Sequence, residues 1–166
     1  MHVQFLKVTA LAGMVAFSAT VSGQVAADDK YRNVSKTLVS QAVMAQKSDR
    51  ADEAQILFER ALVADPANLQ ALIGLGKTHE AQGRVGRGLK YYRQALAIDP
   101  NEHIALEAQA VAFLKRDLVE RAEANRAKLE RLCTDGCKAL DAVTGALDSY
   151  RTEKAEADAK KADNSR

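Results

Sequence analysis

Three groups of residues could do chemistry. The stretch QGRVGRGLK, Gln82 to Lys90, sets Gly83, Gly86 and Gly88 among Arg84, Arg87 and Lys90. Glycines let backbone N–H groups approach a phosphate, and the three cations could neutralise it. The stretch CTDGC, Cys133 to Cys137, offers two thiols for a disulfide, for thiol exchange or for a soft metal. His79 and His103 could act as bases or ligands near neutral pH.

Each chemistry needs a setting. A phosphate loop follows a strand and carries Gly-Lys-Ser/Thr or G-x-G-x-x-G spacing, and neither stands here. Redox pairs favour C-x-x-C at the start of a helix after a strand, whereas CTDGC has three intervening residues. A metal site needs more ligands, and no Met or His lies near the cysteines in sequence. Covalent haem needs a histidine after the second cysteine, where Lys138 stands. Neighbouring acids such as Asp52-Glu53 would face different directions on a helix, and no serine or cysteine has an identifiable base. The expectation is a chain with no active site, no cofactor and no resident metal.

The elements that hold these residues repeat. Asp65-Pro66 and Asp99-Pro100 are 34 residues apart, and the same offset matches Leu38 with Leu72, Arg50 with Arg84, Phe58 with Tyr92 and Ala61-Leu62 with Ala95-Leu96. Each unit holds two helical patterns around a short polar turn. In the second unit Leu72, Leu75, Gly76 and His79 form one stripe; after Gln82–Arg84 the stripe resumes with Leu89, Tyr92, Ala95 and Leu96. Each proline ends the second helix, because it lacks the N–H and disfavours helical geometry before it.

This pattern resembles the tetratricopeptide repeat. Leu72, Leu75-Gly76, Gly83, Gly88, Tyr92, Ala95 and Pro100 occupy signature places, and the first unit keeps Leu38, Ala42, Ala54, Phe58, Ala61 and Pro66. It departs at Gln41, where the family has leucine. A third pair keeps Leu106, Ala110, Phe113 and Ala122 but has Arg126 in place of the aromatic and no closing proline. The resemblance implies an all-α helical solenoid of three helix pairs between Ser35 and Leu132. In it Gly83 is the turn between paired helices, Gly88 lets two helix backbones approach, and His79 packs half-buried where the family has tyrosine. His103 opens the third pair and is expected at the surface.

The resemblance also implies a concave groove lined by the first helix of each pair. Carried over, the lining is Lys36, Val39, Val43 and Lys47, then Gln70, Ile73, Lys77 and Glu80, then Ile104, Glu107, Val111, Leu114 and Lys115. Such an apolar floor with lysines around it suits a peptide with apolar anchors and acidic character; the competing account is that the apolar residues complete helix packing and the lysines are ordinary solvated charges. Relatives that clamp a terminal carboxylate use an asparagine where this chain has Val43.

Cys137, Leu140, Val143 or Thr144, Leu147 and Tyr150 form one more helical stripe, a capping helix for the array. Asp135-Gly136 is a turn signal, so the cysteines straddle a corner before it. In an exported chain a structural disulfide worth about 2 kcal/mol is the preferred reading, with thiol exchange and soft-metal binding as alternatives.

Export is expected from the first 27 residues: Lys7, an apolar run from Val8 to Val21, and small residues at Val25-Ala26-Ala27, with cleavage after Ala27. The run is shorter than the roughly 20 residues that span a bilayer, so no stable span is expected after cleavage. Of 24 basic residues, 23 remain once Lys7 is gone, against 22 acidic ones. A chain this near neutral, without a basic stripe, is not expected to bind nucleic acid. The expected organisation is a signal at 1–27, a linker at 28–34, the repeat domain with its cap at 35–150, and a disordered charged tail at 151–166. The function expected is a non-catalytic periplasmic or secreted scaffold for a protein or peptide. Self-association through exposed helix faces is a further reading, and a thiol-redox or soft-metal accessory role for Cys133 and Cys137 is the alternative.

Overall fold

The computed structural model describes residues 22–164, with side chains from Asp29 onward. The expected leader over 1–27 lies outside the described residues as far as position 21. Among the described residues are seven α-helices and no strand: α1 Ser22–Lys47, α2 Ala51–Ala64, α3 Leu69–Ala81, α4 Val85–Ile98, α5 His103–Leu114, α6 Val119–Leu132 and α7 Lys138–Asp163.

Helices α1/α2, α3/α4 and α5/α6 pack as pairs, and each pair stacks on the next. The first helices touch one another, α1 on α3 and α3 on α5, and α7 packs on α5 as the next first helix would. Helices α2, α4 and α6 make no such contacts among themselves. An inner row in contact and an outer row splayed apart give the stack its curvature. The solenoid expected from the repeat is the fold of the chain.

The period recurs in the backbone. Asp49, Gly83 and Asp117, at successive intervals of 34, all adopt left-handed geometry, with φ of 56°, 75° and 56°. Each makes the corner between the helices of its pair, and only the middle one is the residue suited to it. At Gly88 a Cβ would stand 2.8 Å from the Gly76 carbonyl oxygen, so the close approach of α3 and α4 requires glycine. Phe58 and Tyr92, one period apart and fully buried, lie against Gly74 and Gly76. In QGRVGRGLK, Gly83 and Gly88 are therefore turn and packing residues.

Two apolar clusters form the core. The smaller joins α1, α2 and α3 through Val39, Ala42, Ala45, Ala54, Phe58 and Leu75. The larger runs from α3 to α7 and ends on Val143 and Leu147 of the cap. Polar ties lock helices within and between pairs. Ser35 Oγ, wholly buried, donates to the Ala61 carbonyl (2.9 Å) and accepts from Asn68 Nδ2 (2.8 Å), while Asn68 Oδ1 caps α3 at the Ala71 N–H (3.0 Å). Asn125 Nδ2 reaches from α6 to the Leu106 carbonyl (3.0 Å) and Gln109 Oε1 (3.1 Å) on α5.

Two expected boundaries differ. Residues 28–34, expected as a linker, are helical within α1, which begins before the first repeat position. The tail expected to be disordered continues α7 to Asp163. Its alanines, lysines and glutamates have high helix propensity, so a helix already nucleated on the core extends through them at little cost.

Candidate functional site: a two-cored groove and a cysteine corner

The inner row frames a cavity of about 510 Å³, walled by Val39, Ser40, Val43, Met44 and Gln46 of α1, Gln70, Ile73, Gly74 and Lys77 of α3, and Ile104 of α5. Its floor is Val39 and Ile73, both buried. Its rim is apolar and open: Met44 is 58% exposed, Ile104 50% and Val43 37%. Helices α1 and α5 do not touch, so the cavity bridges them across α3. Beneath it Gln46 Nε2 donates to Thr78 Oγ1 (2.8 Å) and to the Gly74 carbonyl (3.2 Å), which fixes the wall spacing.

The groove continues past Lys77 into a smaller room of about 250 Å³ lined by Glu80, Tyr92, Glu107, Val111 and Lys115. A third, of about 260 Å³, has Val111, Leu114 and Lys115 facing Ala146 and Tyr150 of α7. The expected lining is thus largely brought together: Val39, Val43, Gln70, Ile73, Lys77 and Ile104 in the first room, Glu80, Glu107, Val111 and Lys115 in the second, Leu114 in the third. Lys36 and Lys47 are exposed and line none of the three, standing one helical turn before Ser40 and one after Val43. Met44 is the exposed rim residue that the carry-over missed; on α1 it stands beside Val43 and one turn beyond Ser40, and sequence alone does not say how far the α5 side of the groove extends.

The charges are also arranged differently. Lys115 Nζ is 2.6 Å from Glu80 Oε1, and Tyr92 donates to Glu80 Oε2 at 2.9 Å. Burial, with the Glu80 carboxylate beside it, pushes the Tyr92 hydroxyl far above the usual tyrosine range. Lys115 is therefore committed to an internal ion pair. Lys77 lines both of the first two rooms and has no ion pair among the described residues, so the cationic character of the groove centres on it.

A more open depression of about 760 Å³ along α1, from Asp29 to Gln41, is lined by that helix alone. Among the described residues it has no second wall.

His79 is buried rather than half-buried and stacks on Tyr91, with ring centroids 5.3 Å apart. Burial, reinforced by Arg84 and Arg87, holds its pKa below the ordinary 6.5, so the neutral ring is the packed form.

The cysteines sit at the corner between α6 and α7. Cys133 ends α6, Cys137 caps α7, and their sulfurs lie at bonding distance with Cα atoms 5.7 Å apart. His103, expected at the surface, is half-buried beside them, its Nδ1 4.0 Å from Cys133 Sγ. One signal could have found it. His103 and Cys137 are one period apart, and a solenoid stacks equivalent positions on each other.

The tetratricopeptide repeat family matches residues 45–110. No curated protein matches the chain. Among solved structures, the type III secretion translocator chaperone SycD of Yersinia enterocolitica, in an alternative dimer, is 19% identical with a TM-score of 0.65, covering 74% of this chain and 95% of that one. SycD in complex with a peptide of the translocator YopD is 20% identical, TM-score 0.63, over 72% of this chain and 93% of that one. The first tetratricopeptide domain of Spaghetti (RPAP3), bound to the HSP90 peptide SRMEEVD, is 15% identical, TM-score 0.66, over 75% and 95%. With its 34-residue period, paired helices and matched central segment, the chain is an all-α solenoid with the tetratricopeptide-repeat fold.

Proposed function

We propose that this chain is a non-catalytic, exported interaction module that holds a peptide segment of a partner protein in the groove of α1, α3 and α5. The observation that carries the reading is the open apolar rim of Val43, Met44 and Ile104 around the buried floor of Val39 and Ile73. A soluble chain that leaves three large apolar side chains around one concavity has a surface suited to a ligand's apolar anchors. Lys77 beside that rim favours a ligand with a carboxylate near its anchors. Two neighbours in fold carry peptides, which supports a peptide over a small molecule. Export follows from the leader reading, and the cysteine pair at bonding distance fits an oxidising compartment.

The test is selection of peptides from a displayed library against the mature chain, with the variants as counter-targets. Peptides that bind the groove lose at least about tenfold in affinity on Met44→Glu with Ile104→Glu, because each change puts a charge against an apolar anchor. Both residues are exposed, so these variants keep their fold, as circular dichroism checks. Undiminished binding by the folded double variant removes the site from the groove. For export, the intact mass of the chain recovered from the cell envelope should correspond to a start at Asp28; a chain retaining residues 1–27 contradicts it.

A further inference from the structure

The cysteine corner holds more than a staple requires. In the first two units the helix that ends each pair is followed by Asp65-Pro66 and Asp99-Pro100, whose carboxylates accept the N–H of Ala67 (3.1 Å) and Asn101 (2.9 Å). In the third unit the aspartate position is Cys133. Four residues on, where the next helix starts, the series runs Leu69, His103, Cys137: the first two open α3 and α5, and the third caps α7. Stacking of the second corner on the third then brings the imidazole of His103 to both sulfurs, all three ligand atoms lying within 4.8 Å of one another. A disulfide cross-links Cys133 to Cys137 without any use for the imidazole.

We propose that, when the pair is reduced, Cys133, Cys137 and His103 form a three-ligand site for a thiophilic d10 cation, Zn2+ or Cu+. The spacing C-x3-C falls within the range of chelating cysteine pairs, and a remote histidine completes many such sites. Metal–sulfur bonds of about 2.3 Å and metal–nitrogen bonds of about 2.0 Å set ligand atoms roughly 3.5–3.8 Å apart at tetrahedral angles. The Nδ1–Sγ separation of 4.0 Å is already close to that. The Cα separation of 5.7 Å lets the two sulfurs part by side-chain rotation once their bond is broken.

Two helix starts hold the ligands. Cys137 caps the N-terminus of the 26-residue α7. His103 is the first residue of α5 and sits half-buried at the corner. Two thiolates and an imidazole leave the fourth position of a tetrahedral Zn2+ to water, or complete a three-coordinate Cu+.

The chemistry balances. A dithiol reductant supplies two electrons and two protons to the Cys133–Cys137 bond and becomes a disulfide itself. Binding of the cation then releases both thiol protons to solvent. The disulfide and the metal exclude each other, so the corner is cross-linked in either state. Only the metal state ties α5 into the cross-link.

The full mature chain is reduced with a dithiol, desalted without oxygen and titrated with Zn2+ alone or Cu+ alone, with native mass spectrometry and released protons as readouts. The expected result is one ion per chain, two protons released, and at least about tenfold weaker binding by His103→Ala. The oxidised chain, whose fold is the one described, binds neither ion at the same concentration. Which ion binds more tightly distinguishes the two cations. Failure of the reduced chain to take up either ion overturns the proposal, as does unchanged affinity in His103→Ala. Loss of helix on reduction that neither ion restores overturns it too.

Discussion

At the scale of single residues, the informative side chains are those whose surroundings disagree with their type. His79 is an ionisable ring in the core, flanked by Arg84 and Arg87, with a pKa held below 6.5 by burial first and those cations second. The unfolded chain therefore binds a proton more readily than the folded one. Stability from this residue is fully present above about pH 6.5 and is lost as pH falls from there toward the lowered folded value. Urea midpoints measured from pH 8 to pH 5 should fall across that window. In His79→Gln the part of the slope due to this ring should vanish, and an unchanged slope would assign the dependence elsewhere. The family resemblance puts His79 on the packing face of α3, as found, but the two arginines that reinforce the effect of burial on its charge come from the far side of a turn. Periodicity reports which face a residue occupies and not what charge it meets there. For the same reason the Glu80–Lys115 pair was invisible in the sequence, and Lys115 was counted as a groove cation.

Helices and the turns between them are the most legible level, since Asp-Pro ends, polar turns and apolar stripes recur at one interval. The turns also carry a testable asymmetry. Asp49 and Asp117 hold the left-handed geometry that Gly83 holds without strain. Asp49→Gly should raise stability by up to about 1 kcal/mol, the relief of left-handed strain less the entropy of glycine. Asp117→Gly should gain less or lose, because Asp117 accepts from the Tyr150 hydroxyl (2.8 Å) and faces Lys154 Nζ (3.4 Å) on α7. Those contacts hold the Asp117 carboxyl below its usual range. Thermal unfolding of the two variants side by side checks the difference; equal shifts would show that the tie to α7 contributes nothing. The same contacts explain why the charged tail is helical. Its composition reads as solvated chain, but Tyr150, Arg151 and Lys154 fasten its start to Asp117 and Glu123, and helix propensity carries the rest. A sequence window has no access to such long-range ties.

For the whole molecule, the architecture is a stack with two cores, one under α1 to α3 and one from α3 to α7, and Leu62 and Tyr91 pack against both. Contacts between neighbours alone mean that the ends can open separately. Phe58 is the largest buried side chain of the smaller core after which nothing replaces it, so Phe58→Ala should cost about 3–5 kcal/mol and fall on one end. Hydrogen exchange should then speed across α1 and α2 while α5, α6 and the first half of α7 stay protected; uniform acceleration would mean that the stack unfolds as one unit. The groove lies over this seam, with Val43 and Met44 on the side of the small core and Ile104 on the side of the large one. A peptide seated there is a clasp across two bodies. Its binding energy would be drawn into the first repeat, which would gain rigidity from a guest it did not fold with. Occupancy would then be written in the mobility of α1 and α2, where a second protein could read it without touching the peptide.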